Sequence, residues 1–395
     1  MTTFTARWVL PVAGPPLAGG LVTVAGDRIE AVEPPSTRPA DVDLGNVAVI
    51  PGLVNAHTHL DLSGARGRTP PTDAEHFTDW LRAVIAFRRG RTPDEVQADV
   101  RAGLAELLAS GTTLVGDITA GGASWDAVSG APVRAVVYEE LIGLDPNALL
   151  AAWGRVEDAG PTATATTRPG VSPHAPYSVH GDTARGIFAA GIQSATHVAE
   201  TAAEADLLVS GTGPFVGFLQ RLGVHRERSH AQSWEAFLDP FGGRLRRPAT
   251  RLVVHANYVP ADFPFRPEHS VVYCPRTHAA FGHPPHPFRH FLARWVRVCL
   301  GTDGLTSNPD LDVLAEARFV AAHYPDFPGD QLLRMVTLSG AEALGWADEC
   351  GSLEPGKSAD FVAVPLPDRD GDVYGLLFAE DCGARRTMFR GEWRD

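Results

Sequence analysis

Short apolar runs alternate with amphipathic stretches through most of the chain. Eight of the runs read as strands: Val47–Leu53, Thr112–Val115, Val133–Tyr138, Gly170–Ser172, Gln193–Thr196, Leu252–Val254, Ser270–Tyr273 and Val296–Leu300. Between them, helical patterns run over Asp94–Leu108, Pro146–Val156, Thr183–Ala190, Ala202–Val209 and Gln331–Leu344. Thr92 caps the first of these, with Pro93 in its opening turn. Eight strands joined by helical crossovers predict an α/β fold, a (β/α)8 barrel over residues 49–346.

The two ends are patterned differently. Residues 1–48 read as short strands (Phe4–Leu10, Gly20–Val24, Ile29–Val32) with turn material at Asp27 and Arg28. Residues 347–395 answer in kind, with the GSLEPGKSADFVAV run and then Thr387–Phe389. Half-sheets at opposite ends can pair only if the intervening barrel returns the chain to its start. A small composite β domain built from both termini is therefore expected.

Composition narrows the function classes. The chain has 395 residues, 44% hydrophobic and 21% charged, which is ordinary for a soluble globular protein. A net charge of −13 argues against nucleic acid or anionic lipid as a partner. No apolar stretch approaches the roughly 20 residues of a membrane helix, and the N-terminal residues do not read as a secretory leader. Cysteines 274, 299, 350 and 382 form no C-x-x-C pair, which fits reduced thiols in a cytoplasm. A homodimer is compatible with the sequence, which does not set the oligomeric state.

The chemistry starts at PGLVNAHTHLDLSG, where His57 and His59 stand one residue apart at a strand end. Alternate residues of an extended strand share a face, so both imidazoles can converge on one ion. Nitrogen ligands of that kind suit Zn²⁺ at about 2.0–2.1 Å. An isolated His-x-His also reads as two solvent-facing histidines, but further polar residues follow other strand candidates. They are His174 in SPHAPYSVH, His197 and Glu200 in THVAET, His255 in VVHANYV and Asp303 in LGTDGLTSNPD. Barrel enzymes carry their sites at those strand ends.

The PGLVNAHTH, SPHAPYS, THVAE, VVHANY and LGTDGLTSNPDL segments, in that order over essentially the whole chain, resemble the amidohydrolase superfamily in its aminohydrolase branch of deaminases and chlorohydrolases. The resemblance implies His57, His59, His197 and Asp303 as metal ligands. It implies Glu200 and His255 as catalytic residues and His174 as a lining of the substrate pocket. In that scheme Asp303 takes the proton of the attacking water and Glu200 protonates a ring nitrogen of the substrate. Many two-metal members bridge their ions with a carboxylated lysine on strand four. Lys357 is the only lysine here, so one divalent ion per chain is expected, Zn or alternatively Fe.

The loop VVYCPRTHAAFGHPPHPFRH places Arg276, His278, His283, His286 and His290 within fifteen residues. It departs from nucleoside deaminases that carry His-Asn-Pro and Ser-x-Asn patterns there. A second metal site, substrate recognition and a solvated loop are the three readings. Arg276, His278 and His283 resemble aminodeoxyfutalosine deaminases, whose substrate joins an adenine nucleoside to a benzoate. Arg276 would then meet the carboxylate with its planar fork. Phe77 and Trp80, in HFTDWLRAVIAF, read either as core or as a pocket wall for an aromatic base.

The expected function is a metal-dependent hydrolytic deaminase of an amino-substituted N-heterocycle, an adenine nucleoside derivative such as aminodeoxyfutalosine. The alternatives are a chlorohydrolase or cyclic-amide hydrolase at the same centre, or a barrel that serves as a non-catalytic scaffold.

Overall fold

Eight parallel strands stand at the centre of the protein: β1 (Leu53–Thr58), β2 (Thr112–Thr119), β3 (Arg134–Leu141), β4 (Thr167–Pro173), β5 (Ser194–Val198), β6 (Arg251–His255), β7 (His269–Tyr273) and β8 (Arg297–Leu300). They are neighbours in sequence order from β1 to β8 in one sheet. The computed structural model describes residues 1–225, 229–238, 249–379 and 382–394. The strands are buried almost throughout, because one face points into the barrel and the other under helices. That two-sided burial is why the sequence shows apolar runs rather than alternation. At the seam, the backbone N–H groups of Thr302 and Asp303 both donate to the His57 carbonyl at 3.1 Å, tying the end of β8 to β1. Gly301 makes this possible: a Cβ there would stand 2.9 Å from the His57 nitrogen.

The terminal segments form two smaller sheets. A four-stranded sheet has the order Arg28–Glu33, Leu21–Ala25, Thr2–Thr5, Val42–Asp43. A six-stranded sheet joins Glu392–Arg394, Arg386–Phe389 and Phe361–Pro365 to Val47–Pro51, Trp8–Val9 and Leu17–Ala18. Both termini therefore meet in one sheet, in the antiparallel pairing of Phe361–Pro365 with Val47–Pro51.

That pairing corrects one strand reading. The apolar run Val47–Leu53 is two strands, and its first half lies in the terminal sheet rather than the barrel. The change of sheet falls at Gly52, whose N–H donates to the Asp360 carbonyl. Any Cβ at Gly52 would collide with the Thr113 side chain. Gln331–Leu344 likewise divides into helices Gly329–Met335 and Leu338–Ala343, and between them the Thr337 hydroxyl donates to the Leu333 carbonyl. Ala202–Val209 also departs from one continuous α-helix, since the wider π-turn Asp206–Ser210 follows Ala202–Ala205. The Pro93–Ala109 helix forms as its signals indicate, with Thr92 and Glu95 capping each other reciprocally.

Candidate active site and metal centre

The carboxyl ends of the strands bring the candidate residues to one place. His57 is in β1, His59 just beyond it, His197 in β5, His255 at the end of β6 and Asp303 three residues past β8. Groups of ligand atoms from His57, His59 and His197, and from His57, His255 and Asp303, each lie within 4.8 Å of one another. The His59 and His197 Nε2 atoms are 3.3 Å apart, and Asp303 Oδ1 is 3.4 Å from His57 Nε2 and 3.7 Å from His59 Nε2.

The orientation of each donor is set by its other end. His59 Nδ1 donates to the Ile118 carbonyl at 3.1 Å and His197 Nδ1 to the His174 carbonyl at 3.0 Å, which leaves both Nε2 lone pairs directed inward. Among the described residues, neither ring nitrogen of buried His57 has a hydrogen-bond partner. Burial holds His57, His59 and His255 well below the usual histidine range, so they are neutral. Ser307 donates to Asp303 Oδ2 at 2.9 Å and turns Oδ1 toward the imidazoles. Converging imidazole lone pairs and a carboxylate oxygen with no donor between them would repel. This donor set fits a divalent cation of the zinc type.

Four backbone positions around the centre lie in the left-handed region although none is glycine: Ala199 (φ 54°), His255 (φ 69°), Ala256 (φ 54°) and Asp303 (φ 63°). Each such residue costs on the order of 1–3 kcal/mol and needs local support. The Glu204 carboxylate accepts from the Ala199 N–H and from the Trp234 indole. His286 Nε2 donates to the His255 carbonyl at 2.7 Å, with its ring stacked on Tyr273. These supports were not singled out from the sequence, because nothing local marks them.

Glu200 is buried, and its carboxylate stands 3.5 Å from His255 Nε2. Burial, then Asp303 and Glu204, push its carboxyl well above the usual range. His174 follows β4, its Nδ1 2.7 Å from the Ser178 hydroxyl, and burial pushes it down to about 3.

The centre opens into a cavity enclosing ≈ 1010 Å³ including its mouth. His59, His174, His197, Glu200, His255 and Asp303 line its floor. Phe77 and Trp80 are in its wall, and the Trp80 indole donates to the Thr306 carbonyl at 3.4 Å. Beyond them the lining is apolar: Leu81, Val84 and Ile85 from the helix Phe77–Arg89, and Phe218, Leu219 and Leu222 from the Pro214–Arg221 region. Glu140 and Arg88 also line it and were not read from the sequence. Glu140 lies two residues beyond the strand candidate ending at Tyr138, so the strand-end signal that located the other residues was present. Arg88 sits in the last turn of the helix Phe77–Arg89, where an arginine reads as complementing the helix C-terminus rather than as a site residue.

Three expectations for the loop are corrected. Arg276 does not line the cavity: its Nε donates to Glu316 at 2.7 Å, and its two terminal nitrogens to Asp310 at 2.8 and 2.5 Å. Its fork is engaged by the carboxylates of Asp310 and Glu316. His278 and His283 are also outside the cavity lining; His283 Nδ1 is 3.0 Å from the Tyr258 hydroxyl and its ring stacks on Phe281. No three ligand atoms of this loop converge on a second metal site among the described residues. Arg276→Met should leave the fully buried Glu316 without its cation and lower unfolding free energy by about 3 kcal/mol. Activity on carboxylated and uncharged substrates should fall alike, as denaturant unfolding and paired kinetics would measure. A selective loss on carboxylated substrates would restore the recognition role.

The chain matches the amidohydrolase family over residues 48–393. A 5-methylthioadenosine/S-adenosylhomocysteine deaminase from Moorella thermoacetica is 29% identical over 388 residues, covering 91% of this chain and 84% of that one. In fold, the chain is similar to Helicobacter pylori aminofutalosine deaminase in complex with methylthio-coformycin (TM-score 0.82, 20% identity, all of both chains). It is also similar to a zinc-complexed atrazine chlorohydrolase from Arthrobacter aurescens (TM-score 0.74, 21% identity, 100% of this chain and 95% of that one). Among the described residues no helix is long and apolar enough to cross a membrane. The match over residues 48–393, with the barrel and the converging histidines, makes the chain a member of the amidohydrolase family and a hydrolytic enzyme.

Proposed function

We propose that the protein is a hydrolytic deaminase of an adenine nucleoside whose sugar carries an apolar substituent. One divalent ion, zinc, is held by His57, His59, His197 and Asp303. The observation that carries the reading is Glu200, a buried carboxyl group inside the cavity, 3.5 Å from His255 Nε2 and beside the ligand set. The ion, when bound, supplies Lewis acidity and lowers the pKa of water at the reaction centre.

The residues of the chain supply the remaining steps. Glu200 delivers its proton to a ring nitrogen, which makes the adjacent carbon electrophilic. Asp303 Oδ1, held in place by Ser307 on Oδ2, takes a proton from the attacking water. His255 Nε2 hydrogen-bonds the developing oxygen charge from 3.5 Å beyond Glu200. Water adds to the ring carbon, Asp303 passes the proton it took to the amino group, ammonia leaves, and the hydroxyl proton of the adduct returns to Glu200. Each placed proton transfer is worth about 10²–10⁴ in rate. A proton donor aimed at a ring nitrogen favours an amino leaving group over chloride. The names of the Moorella and Helicobacter proteins support the same substrate class.

The apolar mouth supports the substituent. Ile142 and Val224 line the cavity while 55% and 42% exposed, surface that a substrate group would cover. Among the described residues Arg88 is the one arginine in the lining, and it donates to Glu140 and Asp61. In a series from adenosine through 5′-methylthio- to 5′-butylthioadenosine, kcat/KM should rise about fourfold per buried methylene, from about 0.8 kcal/mol each. Ammonia release over this series, S-adenosylhomocysteine and chlorotriazines tests the reading. Turnover of chlorotriazines alone would assign the centre to dechlorination.

A further inference from the structure

Between the polar floor of the cavity and its apolar mouth stands Glu140, the penultimate residue of β3. Its side chain is 3% exposed, and its Oε2 accepts from Arg88 Nη1 at 2.5 Å. Among the described residues, Oε1 accepts no hydrogen bond. It faces His174 Nε2 across 3.7 Å, too long for a direct bond. A gap of that size is spanned by a single oxygen that bonds both groups. The carboxylate is ionised despite burial, because Arg88 and His174 outweigh desolvation and hold it at about 2. Glu140 lines the cavity, where a donor on the ligand can reach this oxygen.

The order of groups along the cavity says which part of the ligand meets it. The His174 ring is 4.8 Å from that of His197, and Glu140 comes next in the series. Beyond lie the apolar side chains of the mouth. A ligand with its ring at the floor and an apolar group at the mouth must present its polar middle here, and in a nucleoside that middle is the sugar. We propose that Glu140 Oε1 accepts a hydrogen bond from a sugar hydroxyl that also reaches His174 Nε2. Arg88 is the residue that positions the carboxylate. This assignment rests on the nucleoside reading above.

Arg88 is itself fixed, since Nη2 donates to Asp61 Oδ2 at 3.4 Å and that oxygen accepts from the Ala120 N–H at 3.1 Å. The carboxylate therefore cannot swing away when the cavity empties. A plain tie between the helix Phe77–Arg89 and β3 would hold the two elements together equally well, but it would be indifferent to hydroxyls on the substrate.

The test compares adenosine with 2′,3′-dideoxyadenosine, using metal-replete enzyme. Wild type should prefer adenosine in kcat/KM by roughly 100-fold, because a site built for a hydroxyl rejects the analogue lacking it. Glu140→Gln should narrow that ratio by about tenfold or more, and Arg88→Met should narrow it as well, with Arg88→Lys restoring part. An unchanged ratio in Glu140→Gln, including equal losses on both substrates, overturns the assignment. If that variant does not fold, Glu140→Asp, which withdraws the carboxylate by one methylene, reads the same ratio. Wild type that releases no ammonia from any adenine nucleoside would count against the deaminase reading. Thermal shifts with inosine and 2′,3′-dideoxyinosine then decide this point alone. A hydroxyl preference that Glu140→Gln loses supports the assignment, and no preference in wild type overturns it.

Discussion

His197→Ala is expected to abolish metal binding and activity together. The His197 imidazole is aimed inward by the bond from Nδ1 to the His174 carbonyl, and its Nε2 stands 3.3 Å from that of His59. Removing it leaves His57, His59 and Asp303, too few donors for tight tetrahedral binding of zinc. Loss of an outer partner of a ligand typically costs 10–100-fold in metal affinity or activity. Loss of the ligand itself should cost about 10³ or more in kcat/KM. Metal analysis of wild-type protein should return one divalent ion per chain, and the variant close to none. Two ions per wild-type chain at full activity would refute the mononuclear centre. Retained activity without metal would refute the mechanism.

Glu200→Gln is expected to separate the two properties. The glutamine keeps the size of the side chain, and the Asn257 amide still donates to the residue 200 carbonyl, so the loop should hold its shape. Glu200 is not a ligand, and metal content should stay at the wild-type value. The transferable proton is lost, so kcat should fall by about 10² or more with KM changed far less. Glu204, a buried acid nearby, accepts from the Ala199 N–H and the Trp234 indole on its Oε1 and does not line the cavity. A variant with wild-type kcat would remove Glu200 from the proton path. Metal loss in the variant would move Glu200 into the ligand set.

What the sequence by itself determined was the barrel and the residues at its strand ends. Parallel strands buried on both faces leave short apolar runs, and the side chains of the candidate site follow them in the chain. His57, His59, His174, His197, Glu200, His255 and Asp303 are all legible for that reason. Two strand assignments show the limit. The run Val47–Leu53 is continuous in hydrophobicity, yet Gly52 divides it between two sheets, because its neighbours Asp360 and Thr113 come from distant parts of the chain. Glu140, two residues after Tyr138, carried the strand-end signal but was not distinguishable from any surface acid.

Only the tertiary structure decided which charges were free. Arg276 in sequence is an arginine in a histidine-rich loop; in space Asp310 and Glu316 take up its fork. Arg88 in sequence is one more helical arginine; in space it pins Glu140 at the cavity wall. His286 lies near its loop neighbours in the chain but serves the His255 carbonyl, 31 residues away. Ion pairing and second-layer hydrogen bonds depend on separations of a few ångströms between residues far apart in the chain. Local residue patterns hold no record of such distances, whereas strand periodicity and the residue that follows a strand are properties of the chain itself.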